Sequence, residues 1–438
     1  MPSFGAAFRV WLRIGCLSFG GPAGQIALLH REVVDERNWI SDRRFLQALN
    51  FCTLLPGPEA QQLATYLGWL MHGVKGGLAA GLLFVIPGAL VMLGLSILYA
   101  TLGTVPVVSA LFFGLKAAVL VLVIEALLRI GRRALKGKAA WSLAAAAFVA
   151  LFVFAVPFPA VVLVAGLIGY LAPGHFSAAG HGRAKDGPPA LLDVALDADP
   201  GRARRLASQG RIAGMVALLL WIVPVAVLLP AGGVYADIAW FFSKMAVVTF
   251  GGAYAVLAYV AQEAVEKYHW LAAPEMLAGL GLAETTPGPL ILVLQFVGFL
   301  AGFRQNGLGG GIVATLLTLW VTFAPCFVFV FLGAPLIERV QGRPALSGAL
   351  AAITASVVGV IANLAVWFAM HTLFHQTSPV LGWGMSFDAP VLASLDPWAL
   401  LLAFGAAIAL LGLKLGVLRT LGLCAVASIA LHLAAGVV

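Results

Sequence analysis

Apolar residues run through this chain in long blocks, and polar residues gather in the short stretches between them. Blocks of about twenty residues match a bilayer's ~30 Å hydrocarbon core when wound as α-helix. The pattern predicts spans near 8–29, 50–72, 76–100, 106–128, 139–156 and 158–173. A stretch at 174–211, rich in Asp, Gly, Pro and Arg, reads as a flexible cytoplasmic linker. Seven more spans follow near 212–230, 240–260, 286–303, 308–334, 345–373, 397–413 and 417–436, about thirteen in all. The predicted organisation is an N-terminal repeat (1–173), the linker (174–211), a connecting helix (212–230) and a C-terminal repeat (231–438).

The repeat is visible in the letters. SFGGPAGQIALLHREVVDERNWI (Ser18–Ile40) is followed by LLPGPEA (Leu54–Ala60), and TFGGAYAVLAYVAQEAVEKYHWL (Thr249–Leu271) by TTPGPLI (Thr285–Ile291). Phe19-Gly20-Gly21 falls on Phe250-Gly251-Gly252, Glu32 on Glu263, Trp39 on Trp270, and Pro56-Gly57-Pro58 on Pro287-Gly288-Pro289. All share an offset of 231 residues without a gap. Further on, Ser109 aligns with Ser347, which sets Lys116 on Thr354 and Glu125 on Asn363. Seven predicted spans separate equivalent points, an odd number, so the halves are expected to insert with opposite orientations. The predicted class is an all-α polytopic membrane protein of two inverted-topology repeats, and such repeats point to secondary transporters.

Composition agrees with the spans. Of 438 residues, 62% are hydrophobic and 10% charged, where a soluble domain carries about 25% charged. Mean hydropathy is +1.01. The net charge of +8 lies in loops, so it reports topology rather than a nucleic-acid partner. Arg129, Arg132, Arg133, Lys136 and Lys138 mark a cytoplasmic loop, as do Arg183, Lys185, Arg202, Arg204, Arg205 and Arg211 of the linker. Arg339 with Arg343 and Lys414 with Arg419 mark two more, whereas 375–396 has no Lys or Arg and belongs outside. This places the N-terminus in the cytoplasm and the C-terminus in the periplasm. The segment 30–44 departs from the rule and reads as interfacial, because Glu32, Asp35, Glu36 and Asp42 balance its four arginines. Four scattered cysteines make neither a disulfide framework nor a metal motif.

Chemistry concentrates at the interruptions. Phe-Gly-Gly and Pro-Gly-Pro cannot sustain a helix inside a bilayer, so they predict broken half-helices whose N-terminal amides favour anions. Candidate substrate-binding positions are Ser18, Phe19, Gly20, Gly21, Pro56, Gly57, Pro58, Thr249, Phe250, Gly251, Gly252, Pro287, Gly288 and Pro289. Arg13 precedes Ser18 by five residues, as Lys244 precedes Thr249, which puts a cation before each break. Lys116 lies inside an apolar span, and Glu125, nine residues on, falls on the opposite helix face. Glu59, Glu284, Glu32 and Glu263 are candidates for proton coupling or gating; Glu32 and Glu263 equally suit an interfacial helix. His371 and His375 have i, i+4 spacing without the further ligands a metal site needs. No catalytic constellation and no nucleotide-binding loop is present, and neither an enzyme activity nor a cofactor is expected.

At FGGPAGQIALLH (Phe19–His30), LLPGPEAQQLATYLGW (Leu54–Trp69), TFGGAYAVL (Thr249–Leu257) and TTPGPL (Thr285–Leu290) the chain resembles the bacterial chromate ion transporter family in its long, two-domain form. The resemblance covers essentially the whole chain. It implies efflux of chromate across the inner membrane, chromate resistance, and sulfate as the structural analogue. A carrier or channel for sulfate or another anion would share every physical feature, and a homodimer is compatible with the pattern.

Overall fold

Helix is the expected answer to so apolar a chain, since only a helix satisfies its own backbone within lipid. The computed structural model describes residues 1–176, 189–199, 201–250, 252–334, 343–382 and 384–436; Gly251, Arg183, Lys185 and Arg339 lie outside the described residues. In chain order the helices are α1 (Phe4–Leu17), α2 (Gly21–His30), α3 (Asp42–Cys52), α4 (Glu59–Leu102), α5 (Pro106–Ala134), α6 (Lys138–Phe152), α7 (Phe158–Leu171) and α8 (Leu191–Asp197). They continue with α9 (Arg202–Leu228), α10 (Gly233–Val248), α11 (Ala253–Gln262), α12 (Ala273–Thr285), α13 (Val293–Gly333) and α14 (Pro344–Leu373). Strands β1 (Thr377–Gly382) and β2 (Met385–Pro390) then pair antiparallel, and α15 (Pro397–Ala407) and α16 (Val417–Ala435) close the chain.

Among the described residues, six helical segments are long and apolar enough to cross a membrane: Glu59–Leu102, Pro106–Ala134, Arg202–Ala231, Leu290–Gly333, Pro344–Leu373 and Val417–Ala434. The protein is therefore a multi-pass, predominantly α-helical membrane protein. Its apolar exterior fits that solvent: Ile212, Met215, Leu219, Val223 and Val227 of α9 are all largely exposed.

Two of the six are hairpins rather than rods. In a straight helix residues 68 and 80 would stand ~18 Å apart. A Cβ on Gly68 would instead come within 2.7 Å of the Ala80 Cβ and 2.4 Å of the Gly76 carbonyl oxygen. The chain reverses at His72 (φ −133°, ψ 23°) and Gly73 (φ 62°, ψ −154°). α13 reverses in the same way at Asn306 (φ −132°, ψ 21°) and Gly307 (φ 61°, ψ −157°), and there Gly302 meets Gly310 and Ala314. Close backbone approach at small residues is how helices pack where lipid removes the hydrophobic drive.

These turns are 234 residues apart, not 231. The difference is a 3-10 turn at Leu290–Leu292, inserted between the second Pro-Gly-Pro and α13. The ungapped offset thus ends at Pro289, and Glu59, first in α4, corresponds to Val293, first in α13.

The chain divides into two compact units. Unit 1 comprises Met1–Gly94, Gly180–Ala253 and Thr286–Gly342; unit 2 comprises Leu95–Ala179, Tyr254–Thr285 and Arg343–Val438. Unit 1 has a core built around Trp11, Ile14, Leu29, Phe45, Leu67 and Phe331. Within the 174–211 stretch, α8 docks on this unit. Leu192 is buried, its N–H donates to the Trp39 carbonyl at 3.0 Å, and Arg44 Nε lies 2.7 Å from Asp193 Oδ1. Arg202 Nη2 donates to the Met71 carbonyl at 2.7 Å.

Unit 2 packs α14 against α5, α6 and α7, and α16 against α5. Small residues again allow the approach, since a Cβ at Gly169 would meet the Gly348 carbonyl oxygen at 2.3 Å. The β-hairpin was not expected from an all-helical reading of 375–396; Ser386 N–H fastens it to the Val153 carbonyl at 2.8 Å.

Candidate functional site

The Phe-Gly-Gly and Pro-Gly-Pro motifs do interrupt helices. α1 stops at Leu17 and α2 restarts at Gly21, with Pro22 in its first turn, where a missing N–H costs nothing. Ser18 (φ −80°, ψ 63°) and Thr249 (φ −76°, ψ 85°), the residues that end α1 and α10, each centre an inverse γ-turn. In these turns Phe19 N–H donates to the Leu17 carbonyl at 2.9 Å and Phe250 N–H to the Val248 carbonyl at 3.0 Å. Both hydroxyls turn back onto their own helix. Ser18 Oγ donates to the Gly15 carbonyl at 2.9 Å, and Thr249 Oγ1 to the Met245 carbonyl.

The four breaks are joined crosswise within unit 1. Gly57 N–H donates to the Thr249 carbonyl at 2.8 Å, and Gly288 N–H donates to the Ser18 carbonyl at 3.0 Å. Thr249 is the repeat partner of Ser18, and Gly288 that of Gly57. First-half Pro-Gly-Pro therefore grips the second-half turn, and second-half Pro-Gly-Pro grips the first. Equivalent positions of the two repeats are thus bonded in both senses. Both glycines hold positive φ, 121° at Gly57 and 91° at Gly288, which directs their N–H groups as no L-residue would without strain.

The two joints are dressed differently. Ser18 Oγ takes a second bond from Gly288 N–H at 3.0 Å. The buried Gln25 donates through Nε2 to the Ser18 carbonyl at 3.2 Å and the Gly288 carbonyl at 2.6 Å. At the other joint Gln62 Nε2 donates to the Pro56 carbonyl at 2.7 Å, inside its own segment. α2 begins after Gly20, and among the described residues no side chain caps its N-terminus.

The predicted charges are distributed unevenly. Arg13 is not a spare cation: its Nε lies 3.4 Å from Glu32, which Arg37 Nη1 also approaches at 2.7 Å. Glu32 is wholly buried between them, and Arg37 Nη1 also reaches Glu36 Oε2 at 3.1 Å, so Arg37 is shared between two carboxylates. Arg13 keeps half of its side chain exposed. Lys244 is half-buried, with its ammonium 5.8 Å from the Phe241 ring centroid. Glu59 opens α4, where a carboxylate suits the helix dipole.

Lys116, Glu263 and Glu284 belong to unit 2. Lys116 has Glu275 of α12 within electrostatic reach, and Glu125 pairs instead with Arg129 at 3.2 Å. Glu263 forms an i, i+4 pair with Lys267 at 3.0 Å. Buried Glu284 accepts a 2.5 Å hydrogen bond from the buried Tyr254 hydroxyl. Sequence reasoning passed over Gln25, Arg37 and Tyr254. The signal for Gln25 was there: an amide one turn into a helix that is otherwise apolar up to His30.

Comparison with known proteins follows this geometry. The chain matches the family model described as Chromate transporter over residues 5–170 and 236–430, stretches that begin 231 residues apart. A chromate transport protein of Pseudomonas aeruginosa is 34% identical over 404 residues, spanning 90% of this chain and 88% of its own length. One from Cupriavidus metallidurans is 28% identical, over 83% of this chain and 82% of its own. The uncharacterized transporter YwrB of Bacillus subtilis is 32% identical over 126 residues, 29% of this chain but 64% of its own length. No solved structure matches the chain.

Proposed function

Because the chain belongs to the chromate transporter family, we propose that it exports chromate across the bacterial inner membrane by alternating access and so confers chromate resistance. The reciprocal pair of bonds, Gly57 N–H to Thr249 and Gly288 N–H to Ser18, is the observation that carries this reading. It ties two broken helices of one half to two of the other, as expected at the midplane of a carrier with inverted-topology repeats and about thirteen spans. The names of the P. aeruginosa and C. metallidurans relatives supply the substrate class, a tetrahedral dianion that sulfate mimics.

In this mechanism the dianion sits against the breaks at 19–22, 56–58, 250–252 and 287–289. The first amides of α2 and Arg13 stabilise it from one half, and Lys244 from the other. Desolvating a dianion is costly, and oriented amides offset that cost without reorganising. The membrane potential, inside negative, drives an anion outward with ~2.3 kcal/mol per charge per 100 mV. Rocking of one half against the other opens the site to the periplasm.

Uptake of labelled chromate into inverted vesicles tests the proposal. Arg13→Ala and Lys244→Ala are expected to cut uptake at least tenfold, and unlabelled sulfate to compete. Full transport in both variants would overturn the anion site. Uptake proportional to chromate concentration without saturation would overturn the carrier cycle.

A further inference from the structure

A cluster of polar side chains in unit 2, separate in sequence from the breaks, lines a cavity. It encloses about 170 Å³ beneath the β-hairpin and is lined in part by Gln262, Glu266, Asn363, Trp367, Phe387 and Asp388. Its polar groups converge from separate elements. Glu266 comes from the wide turn after α11, Asn363 and Trp367 from α14, and Asp388 from β2. Two carboxylates face the cavity and no lysine or arginine lines it. The neighbouring Lys267 is turned to Glu263 at 3.0 Å and to the Tyr268 ring at 5.5 Å.

Glu266 is held rather than loose. Trp367 Nε1 donates to Glu266 Oε1 at 3.1 Å, and the indole in turn packs against His371, centroids 4.3 Å apart and planes tilted by 36°. Asn363 is 3% exposed, lines the cavity, and has no hydrogen-bond partner among the described residues. Its amide faces the cavity, placed to bond a ligand's polar group.

A bare metal ion is a poor fit. The described residues hold no group of three or more His, Cys, Asp and Glu able to bind one, and Phe152, Met370 and Phe387 make much of the wall apolar. An organic cation satisfies every part. Its charge meets Glu266 and Asp388, its carbons meet the apolar wall, and an indole face adds a cation–π contact. A cavity of ~150 Å³ admits a six-carbon ring, so this one takes a headgroup of choline or ethanolamine size.

We propose that this cavity binds an alkylammonium group, supplied by a phospholipid headgroup or by a free amine. The test uses the full chain in nanodiscs of pure phosphatidylglycerol, titrated with choline by calorimetry and tryptophan fluorescence. The control ligand is 3,3-dimethylbutan-1-ol, choline's uncharged isostere. Choline is expected to bind at least tenfold more tightly than the alcohol. Glu266→Gln, which still accepts from Trp367, and Asp388→Asn are each expected to weaken it at least fivefold while melting like the parent. Nanodiscs containing phosphatidylethanolamine distinguish the sources: competition there assigns the site to a lipid headgroup, and an unchanged titration assigns it to a free amine. No choline binding, equal binding of the alcohol, or full affinity in both variants would overturn the proposal.

Discussion

Gln25→Met isolates one joint between the halves. Methionine keeps the length and flexibility of the side chain and removes its amide. Two hydrogen bonds disappear, to the Ser18 carbonyl at 3.2 Å and to the Gly288 carbonyl at 2.6 Å. The losses are unequal. The Ser18 carbonyl keeps Gly288 N–H at 3.0 Å, whereas the Gly288 carbonyl loses its Gln25 donor. One net bond is worth ~1 kcal/mol and an orphaned buried carbonyl costs ~1–3 kcal/mol, so the joint weakens by about 2–4 kcal/mol. At 1.4 kcal/mol per decade, the population with this joint open rises roughly 30- to 700-fold.

Hydrogen exchange reads that population directly. Peptides covering 286–292 should exchange faster in Gln25→Met by a factor in this range, while peptides covering 54–60 should not change, because Gly57 binds Thr249 without help from Gln25. Gln62→Met should do the reverse, because its amide bonds Pro56 and the Cys326 thiol rather than the Ser18–Gly288 joint. Equal exchange of both segments in the two variants would show that the joints open as one, and no change in either would refute the assignment of these amides as tethers.

Alanine at either Pro-Gly-Pro glycine tests the positive φ. Gly288→Ala (φ 91°, new Cβ 3.1 Å from Leu292 Cδ1) should cost ~1–2 kcal/mol. Gly57→Ala (φ 121°, new Cβ 2.9 Å from Gln62 Nε2 and 3.3 Å from Cys326 Sγ) should cost more, seen as the lower detergent melting temperature of the two. Gly302→Ala places a Cβ 2.4 Å from the Gly310 carbonyl oxygen, a backbone atom that cannot yield; size-exclusion should show loss of monodisperse protein. Burial pushes the Asp193 carboxyl up, but Arg44's hydrogen bond, the Ser41 hydroxyl and Arg44's charge outweigh it and hold the carboxyl below its usual range. The stability it contributes is therefore complete above the unfolded value of ~3.9 and lost as pH falls through the lower folded value. Asp193→Asn should cost ~1 kcal/mol in thermal melts at pH 7, with the difference flat between pH 5 and 8, starting to shrink only near pH 4 and vanishing once the pH is below the lowered folded value.

How far the sequence could be read depended on range. The breaks at 18–21 and 56–58 were legible because proline and glycine act locally, through a missing donor and an accessible φ. The reversal between the segments 50–72 and 76–100 was legible too, since polar His72 and Gly73 interrupt an apolar run, and the chain turns there. α3 and α12 escaped because they are short and do not read as spans. The shift from 231 to 234 escaped because Leu290–Leu292 is as apolar as the helix it precedes. Arg13 was legible as a charge, but its distance to Glu32 was not, because that distance depends on how α1 packs against the turn after α2. Least legible was the division into units, each of which takes segments from both halves.

A carrier whose halves exchange roles would have energetically equal end states only if its joints were equal, and here they are not. The Ser18–Gly288 joint holds the backbone bond, a second acceptor in Ser18 Oγ, and the Gln25 amide, all buried. The Thr249–Gly57 joint holds the backbone bond, and its hydroxyl is committed to Met245. Two or three extra bonds at ~1 kcal/mol each bias the pair by a few kcal/mol. A bias of that size leaves the minor state at roughly one per cent or below. If alternating access opens one joint at a time, the weak joint opens first in the resting protein, and the substrate's differential binding must supply the energy that opens the strong one. The charges follow the same division: Ser18, which makes the strong joint, ends the helix that carries Arg13, the partner of Glu32. An anion that draws Arg13 away from Glu32 would loosen the packing of α1 on α2, the two helices whose junction Ser18 makes. The asymmetry between the repeats would then couple substrate binding to the harder of the two movements.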